Sequence, residues 1–153
     1  MSAVLERSFR SSSINDLVNR PDIRPFVGGD ASKPLDLSKA IEDENNIALM
    51  GDYGGFVMIW CAPGTYEVHT MITEAGRGEW ALAAAKAGIG ILRDEFRAQH
   101  LWTRVKPEAR HVRSFTIAAG MKPCGQKVFD IGSGPEAYNV YEWRASQPST
   151  NGE

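Results

Sequence analysis

The chain has 153 residues, enough for one domain built around one hydrophobic core. Hydrophobic residues make up 42% of it and charged residues 24%, a profile that excludes a largely disordered or fibrous chain. The net charge is −2 and no block of like charge stands out, so we expect no nucleic acid among its partners.

Two further classes of protein are disfavoured by the pattern of apolar residues and cysteines. The longest apolar run, Phe56–Ala62, is far shorter than the roughly 20 residues of a membrane-spanning helix. The N-terminal segment Met1–Arg7 lacks the apolar core of a signal peptide, so we expect a cytoplasmic protein that does not bind membranes. Cys61 and Cys124 have no metal-ligand spacing, and we expect two buried thiols and no metal site.

The first third of the chain predicts short elements separated by a long loop. Ala3–Phe9 alternates loosely in polarity and predicts a first strand. Two short helices are predicted, one over Ile14–Asn19 and one, behind a capping Asp36, over Leu37–Glu44. Between them, Pro21–Pro34 is dense in Pro, Gly and Asp, which is typical of a loop.

Three strands with tight turns between them are predicted next. They cover Asn46–Met50, Phe56–Cys61 and Thr65–Thr73, and consecutive strands joined in this way form an antiparallel meander. In the third strand, the alternation of side chains places Glu67 and His69 on one face of the sheet.

From Gly76 onward the hydrophobic period becomes that of a helix. A long helix is predicted over Glu79–Gln99, with an apolar stripe formed by Leu82, Ala85, Ile89, Leu92 and Phe96. Gly88 and Gly90 weaken this helix, and we expect close packing on the sheet to be their reason.

The last third of the chain predicts a strand, a helix and a closing hairpin. These are His100–Val105, a helix from Pro107 to Gly120, and the strands Gln126–Ile131 and Ala137–Trp143. The resulting order, β-α-α-β-β-β-α-β-α-β-β, is that of an α+β domain with a mixed, mostly antiparallel sheet flanked by helices. The domain is expected to cover residues 1–145, and residues 146–153 are expected to form a disordered tail.

The junction between Thr65–Thr73 and the long helix is the most informative part of the sequence. A glycine-containing turn that leads a strand into a helix exposes several free backbone N–H groups, and the aligned peptide dipoles there favour an anion such as a phosphate. Arg77 adds a charged donor, and Gly76 and Gly78 allow a ligand to approach the backbone closely.

The element order and this junction resemble the GNAT superfamily of acyl-CoA N-acyltransferases, including compact members from phages and bacteria. In that family a strand ends in an apolar residue, and a loop with the pattern Arg/Gln-x-x-Gly-x-Gly/Ala leads into a long helix. Aligning Ile72 with the strand end puts Arg77 at the Arg/Gln position, followed by Gly78. A second match is the strand, helix and terminal glycine of Val105–Met121, and the resemblance extends over Asn46–Trp143.

The resemblance implies an N-acetyltransferase that moves an acetyl group from acetyl-CoA to an amine of a small molecule or a protein by direct attack. The implied partners are acetyl-CoA and an amine acceptor, with a homodimer left open. The residues that would bind the cofactor are those of the strand end, the loop and the helix start: Met71, Ile72, Thr73, Gly76, Arg77, Gly78, Glu79, Trp80, Ala81 and Leu82.

The catalytic candidates are Glu67 and His69 of the third meander strand, which face the same side of the sheet. Either Glu67 or His69 would deprotonate the amine, directly or through a water. A neutral His needs little tuning near pH 7, whereas a Glu would act best with a pKa raised by burial. The alternative is that the two side chains simply satisfy each other on the sheet face. For the leaving thiolate, Thr116, Tyr138, Tyr141 and water all remain open.

The sequence also departs from the family pattern. Trp80 and Leu82 stand at two small positions of the loop motif, Ala109 at the usual Asn near the pantetheine arm, and Thr116 where many members have a Tyr. These departures motivate an alternative function, a noncatalytic GNAT-like binding or assembly protein.

Overall fold

A seven-stranded sheet organises residues 2–132 and 134–146, which are the residues described by the computed structural model. Its strands are β1 (Glu6–Arg7), β2 (Ile47–Gly51), β3 (Gly54–Ala62), β4 (Thr65–Ile72), β5 (His100–Val105), β6 (Lys122–Asp130) and β7 (Pro135–Arg144). The helices are α1 (Ser11–Val18), α2 (Ser38–Glu42), α3 (Glu79–Glu95) and α4 (Arg110–Ala118), with 3-10 turns at Arg24–Phe26 and Glu74–Gly76. Except for Ser146, the predicted disordered tail lies outside the described residues.

The strands are ordered β1-β2-β3-β4-β5-β7-β6 across the sheet. All neighbouring pairs are antiparallel except β4 and β5, which are parallel because the crossover helix α3 joins them. The predicted α+β class, element order and antiparallel meander are therefore confirmed.

The parallel pair β4–β5 separates partway along its length. Backbone pairing joins Thr65–Glu67 to His100–Trp102, and the described residues show no further pairing of these two strands. At the point of separation, the Thr103 hydroxyl donates a hydrogen bond to the Val68 carbonyl at 2.9 Å. The carboxyl-terminal halves of β4 and β5 thus leave a gap between them, and this gap opens toward the first residues of α3 and α4.

Each face of the sheet carries its own hydrophobic core. On one face, here called the α3 face, α3 and α4 pack on side chains that include Leu49, Phe56 and Ile72. On the other, the α1 face, Met71 shares a core with residues of α1 and α2. Because side chains alternate along β4, Glu67 and His69 lie on the α1 face with Met71.

The helix α3 is shorter than predicted, and its buried stripe is composed of smaller residues. It ends at Glu95, and beyond it Arg97 adopts a positive φ of 55° while the Ala98 N–H bonds the Leu92 carbonyl. The fully buried positions are Trp80, Ala81, Ala84, Ala85, Gly88 and Leu92, whereas Leu82, Ile89 and Phe96 are only partly buried. Small residues at the centre of this face bring the helix close to the sheet.

Three other expectations are corrected by the structure. Gly88 lies over Phe56 and Leu5, but Gly90 faces only the Arg93 side chain, so packing on the sheet does not explain Gly90. Cys61 and Cys124 are exposed rather than buried. Cys124 lies on β6, which is an edge strand, and Cys61 lies where a bulge between Trp60 and Ala62 interrupts the pairing of β3 with β4.

Two kinds of feature are absent from the described residues, a membrane-spanning helix and a metal-binding cluster. No helix in residues 2–132 and 134–146 has both the length and the apolar character needed to cross a bilayer. The same residues contain no cluster of three or more His, Cys, Asp or Glu side chains suited to holding a metal ion.

Candidate active site

The first turn of α3 presents a row of free backbone donors beside the gap between β4 and β5. Within the described part of the chain, no acceptor bonds the N–H groups of residues 78–81. Gly78 caps the helix with φ 99° and ψ −128°, a conformation that in practice only glycine adopts. A Cβ built on Gly78 would meet no atom within 4 Å, so the backbone is open to a ligand from that side.

Other predicted cofactor-binding residues have their N–H groups engaged within the chain. The N–H of Thr73 bonds the Tyr53 carbonyl, and those of Gly76, Arg77 and Leu82 bond the carbonyls of residues 73, 74 and 78. Because the Thr73 N–H points toward β3, alternation along β4 directs the Ile72 N–H toward the gap. The available donors are therefore Ile72 and residues 78–81, about half of the predicted set.

The Trp80 indole is turned away from the gap. Its side chain is 8% exposed and belongs to the core of the α3 face. It meets Tyr53 edge-on at 5.2 Å between ring centroids, and its Cζ2 lies 2.9 Å from a Cβ built on Gly51. Since Gly51 and Tyr53 lie at the β2–β3 turn, the indole packs on the side of α3 away from β5. The bulk at this position leaves the backbone donors accessible.

Arg77 is held by a loop from the N-terminal part of the chain, residues 20–30, which we call the strap. Its guanidinium donates to the Asp22 carbonyl and lies over the Phe26 ring at 5.1 Å. The Phe26 ring also meets the His111 ring of α4 at 5.7 Å. The strap therefore contacts both sides of the gap, the loop after β4 and the first turn of α4.

The strap has its own fixed structure. Arg24 is buried, and its guanidinium holds the strap in place by hydrogen bonds. The bonds go to the backbone carbonyls of Val27, Gly28, Asp30 and Lys33. At its start, the Asp22 carboxylate accepts the Glu74 N–H at 2.9 Å. Hydrogen bonding to Arg20 and to this N–H lowers the pKa of Asp22 to about 2. The Glu74 N–H, in the loop after β4, is therefore already bonded to a carboxylate of the protein.

The two catalytic candidates are in contact with each other. His69 Nε2 lies 3.4 Å from Glu67 Oε1, and the side chains are 31% and 12% exposed. Burial raises the pKa of Glu67, but the hydrogen bond and charge of His69 and the charge of Arg104 outweigh it and leave that pKa below its ordinary value. Glu67 is thus a stable carboxylate near neutral pH, and the raised pKa that would suit it as a base is not found.

The candidates for protonating a leaving thiolate differ in their surroundings. The Thr116 side chain is buried, and its hydroxyl donates to the Val112 carbonyl of its own helix at 2.8 Å. The Tyr138 hydroxyl donates to Glu136 at 3.3 Å, and burial together with Glu136 raises its pKa. Tyr141 is buried on the α3 face. The positions of these three side chains do not favour any of them over water as the proton donor to the thiolate.

A polar and aromatic cluster beside Glu67 was not predicted from the sequence. Arg104 Nε lies 3.1 Å from Glu67 Oε2, and the Arg104 guanidinium lies over the Phe129 ring at 4.7 Å. The Trp102 ring stacks on the Phe129 ring, with 6.1 Å between the two ring centroids. The cluster joins residues of β4, β5 and β6, whose proximity depends on long-range strand pairing. Only the alternation His100-x-Trp102-x-Arg104 hinted at a shared face.

The architecture is similar to that of solved acetyltransferases over nearly the whole chain. A GNAT-family acetyltransferase from Bacillus anthracis is 12% identical, with a TM-score of 0.67 over 94% of this chain and 95% of its own. A variant of spermidine N-acetyltransferase SpeG from Vibrio cholerae is 13% identical, with a TM-score of 0.72 over 94% of each chain. The chain has the GNAT fold.

A third similar structure is that of the microcin C7 self-immunity acetyltransferase MccE in complex with acetyl-CoA and AMP. It is 14% identical, with a TM-score of 0.66 over 92% of both chains. No protein-family model and no curated protein sequence matches this chain.

Proposed function

We propose that the protein is an N-acetyltransferase that transfers an acetyl group from acetyl-CoA to an amine. The observation that carries the proposal is the juxtaposition of free N–H groups at residues 78–81 with the gap between β4 and β5 and with Glu67 and His69 on the α1 face. The GNAT fold supports it, as does the acetyl-CoA named in the MccE complex.

The residues present fit a CoA diphosphate. Four consecutive N–H groups at the start of a 17-residue helix favour an anion through their hydrogen bonds and through the helix dipole. Gly78 permits close approach, and Arg77 supplies a positive charge beside these donors. A bound thioester would supply a carbonyl carbon open to attack by an amine, and the Ile72 N–H faces the gap where the acyl oxygen would lie.

His69 is the better placed base, because the lowered pKa of Glu67 makes that carboxylate a weak proton acceptor. In this assignment His69 takes a proton from the acceptor ammonium, and Glu67, 3.4 Å away, stabilises the imidazolium that forms. The amine nitrogen then bonds to the acyl carbon and loses a second proton to water as the carbon–sulfur bond breaks, and the thiolate is reprotonated from water. The reaction yields an amide and a thiol.

The proposal is tested by calorimetric titration with acetyl-CoA and with CoA. We expect saturable binding, and we expect Arg77→Glu to weaken it about tenfold, because the substitution replaces a positive charge beside the diphosphate with a negative one. Arg93→Glu is the matched control, because Arg93 lies exposed at the opposite end of α3 and pairs with Asp94. A flat titration of the parent protein at sub-millimolar concentration would contradict the proposal.

A noncatalytic binding protein is the second candidate, and two observations favour it. The Arg77 guanidinium is engaged by the strap, and the Thr116 hydroxyl is engaged within its helix. This candidate predicts that CoA fails to bind, or that it binds without release of free thiol when amines are added with acetyl-CoA. Thiol detection with a broad panel of amines therefore separates the two functions.

A further inference from the structure

Arg104 lies beside Glu67, the carboxylate that supports the proposed base. Glu67 pairs with Trp102 in the parallel ladder, so Arg104, two residues further along β5, lies on the same α1 face. Its Nε is 3.1 Å from Glu67 Oε2, and its side chain is 21% exposed. The guanidinium therefore borders the carboxylate that supports the proposed base.

The surroundings of Arg104 leave one edge of the guanidinium available. The Phe129 ring covers it at 4.7 Å and the Tyr138 ring lies at 5.8 Å, while Nε lies 3.1 Å from Glu67 Oε2 without donating a hydrogen bond to it. Within residues 2–132 and 134–146, no acceptor hydrogen-bonds the two terminal nitrogens. A planar guanidinium that is held in place and presents two free N–H groups along one edge matches a carboxylate bidentately.

We propose that Arg104 binds the carboxylate of the acceptor, and that the acceptor is an α-amino acid. The proposal rests on the proposed acetyltransferase function. An α-amino acid carries its amine and carboxylate on the same carbon, and Glu67 and Arg104, which would receive them, are in direct contact. With the carboxylate on the Arg104 edge, the amine falls beside Glu67 and His69. The Trp102 ring, which stacks on Phe129, then supplies apolar surface for the rest of the molecule.

The charge balance of the cluster argues against a polycation as acceptor. The charge of Glu67 is compensated by Arg104 at 3.1 Å, and the Glu136 carboxylate accepts the Tyr138 hydroxyl. The aromatic faces that would otherwise attract an ammonium group already hold the Arg104 guanidinium. Preference for a polyamine over an amino acid is therefore the result that would contradict the proposal.

The test compares pairs of compounds. Both members of a pair carry one amino group, and only one of them carries a carboxylate. Phenylalanine is paired with phenethylamine and leucine with 3-methylbutylamine, and spermidine is the polycationic probe. Release of CoA from acetyl-CoA gives kcat/KM, and calorimetry of phenylalanine binding needs no turnover. We expect each amino acid to exceed its decarboxylated partner by about 10- to 100-fold in kcat/KM, the equivalent of a charged hydrogen-bonded contact.

Variants assign the effect to Arg104. Arg104→Gln should raise KM for the amino acids about tenfold or more while leaving KM for the decarboxylated amines within about twofold, and Arg104→Lys should restore part of the difference. In Arg104→Gln the pKa of Glu67, followed by NMR titration of its carboxylate, should rise, because the charge of Arg104 contributes to lowering it. Arg144→Gln is the control, since Arg144 is an exposed arginine on the neighbouring strand, paired with Glu142.

The outcomes separate the two proposals. Absence of acetyl-CoA binding refutes the acetyltransferase function. Saturable acetyl-CoA binding combined with preference for spermidine or the decarboxylated amines, or with no calorimetric binding of phenylalanine, overturns the amino-acid acceptor alone. The amino-acid acceptor is also overturned if the parent and Arg104→Gln prefer amino acids over decarboxylated amines to the same extent. If Arg104→Gln fails to fold, the comparison of amino acids with decarboxylated amines in the parent protein still tests the proposal.

Discussion

The two sides of the gap differ in how they carry their chemistry. On the α3 side the donors are backbone N–H groups at residues 78–81, fixed by the helix itself. On the other side, the α1 face of the sheet, the groups are the side chains of Glu67 and His69 on β4 and of Arg104 on β5, with contacts of 3.1 to 3.4 Å to Glu67. We therefore expect substitutions on the first side to be tolerated when they preserve the backbone, whereas single substitutions on the second side remove a chemical group.

The largest expected effect comes from removing the proposed base. His69→Ala should lower kcat about 100-fold or more, because general base catalysis contributes at least that much when the group is positioned. The affinity for CoA should stay within about twofold, since His69 lies on the face opposite to α3. The measurement combines steady-state thiol release with calorimetry. Glu67→Gln, which keeps the shape of the side chain, should cost less. A His69→Ala enzyme with parental kcat would remove His69 from the mechanism.

An intermediate effect is expected at Trp80, and it concerns stability rather than binding. Trp80→Ala empties a site that packs on Gly51 and Tyr53, so the free energy of unfolding should fall by about 3 kcal/mol. At a temperature where the variant is folded, its affinity for CoA should be close to that of the parent, because the N–H group of residue 80 remains. Urea unfolding and calorimetry give the two quantities. A large loss of affinity in a folded variant would show that the indole itself contacts the ligand.

The smallest effect is expected at the strap. Phe26→Ala removes the ring that lies over Arg77 and meets His111, which frees the Arg77 guanidinium to turn toward a diphosphate. Binding of CoA should tighten about two- to fivefold, the worth of an exposed cation–π contact. Phe9→Ala is the control, because Phe9 is another exposed ring under an arginine, Arg7, at the far edge of the sheet. Weaker binding by Phe26→Ala would mean that the strap supports the ligand.

The backbone side of the gap could be predicted from the sequence, because its signals are local. Gly76-Arg77-Gly78 follows a strand with alternating polarity and precedes a helical period, so the loop and the helix start follow from neighbouring residues. The side-chain cluster could be predicted only in part. Glu67 and His69 share a face through simple alternation along one strand, but their contact with Arg104 depends on which strand pairs with β4 and in which register.

Long-range packing also explains where the sequence expectations failed. The indole of Trp80 turns toward the β2–β3 turn because Gly51 leaves space there, which the residues around Trp80 do not reveal. The lowered pKa of Glu67 has the same origin, since Arg104 and His69 reverse the effect of burial. The position of the strap across the gap depends on contacts of Asp22 and Phe26 with residues more than fifty positions away.

The proposed function requires that backbone N–H groups at the start of α3 hold the diphosphate of CoA. Amide chemical shifts of ¹⁵N-labelled protein, followed by NMR during titration with CoA and with pantetheine, test it residue by residue. We expect the N–H signals of Gly78, Glu79, Trp80 and Ala81 to move with CoA and to stay in place with pantetheine, which lacks the diphosphate. Binding of CoA that leaves these four signals unmoved, or that moves them equally with pantetheine, would contradict it.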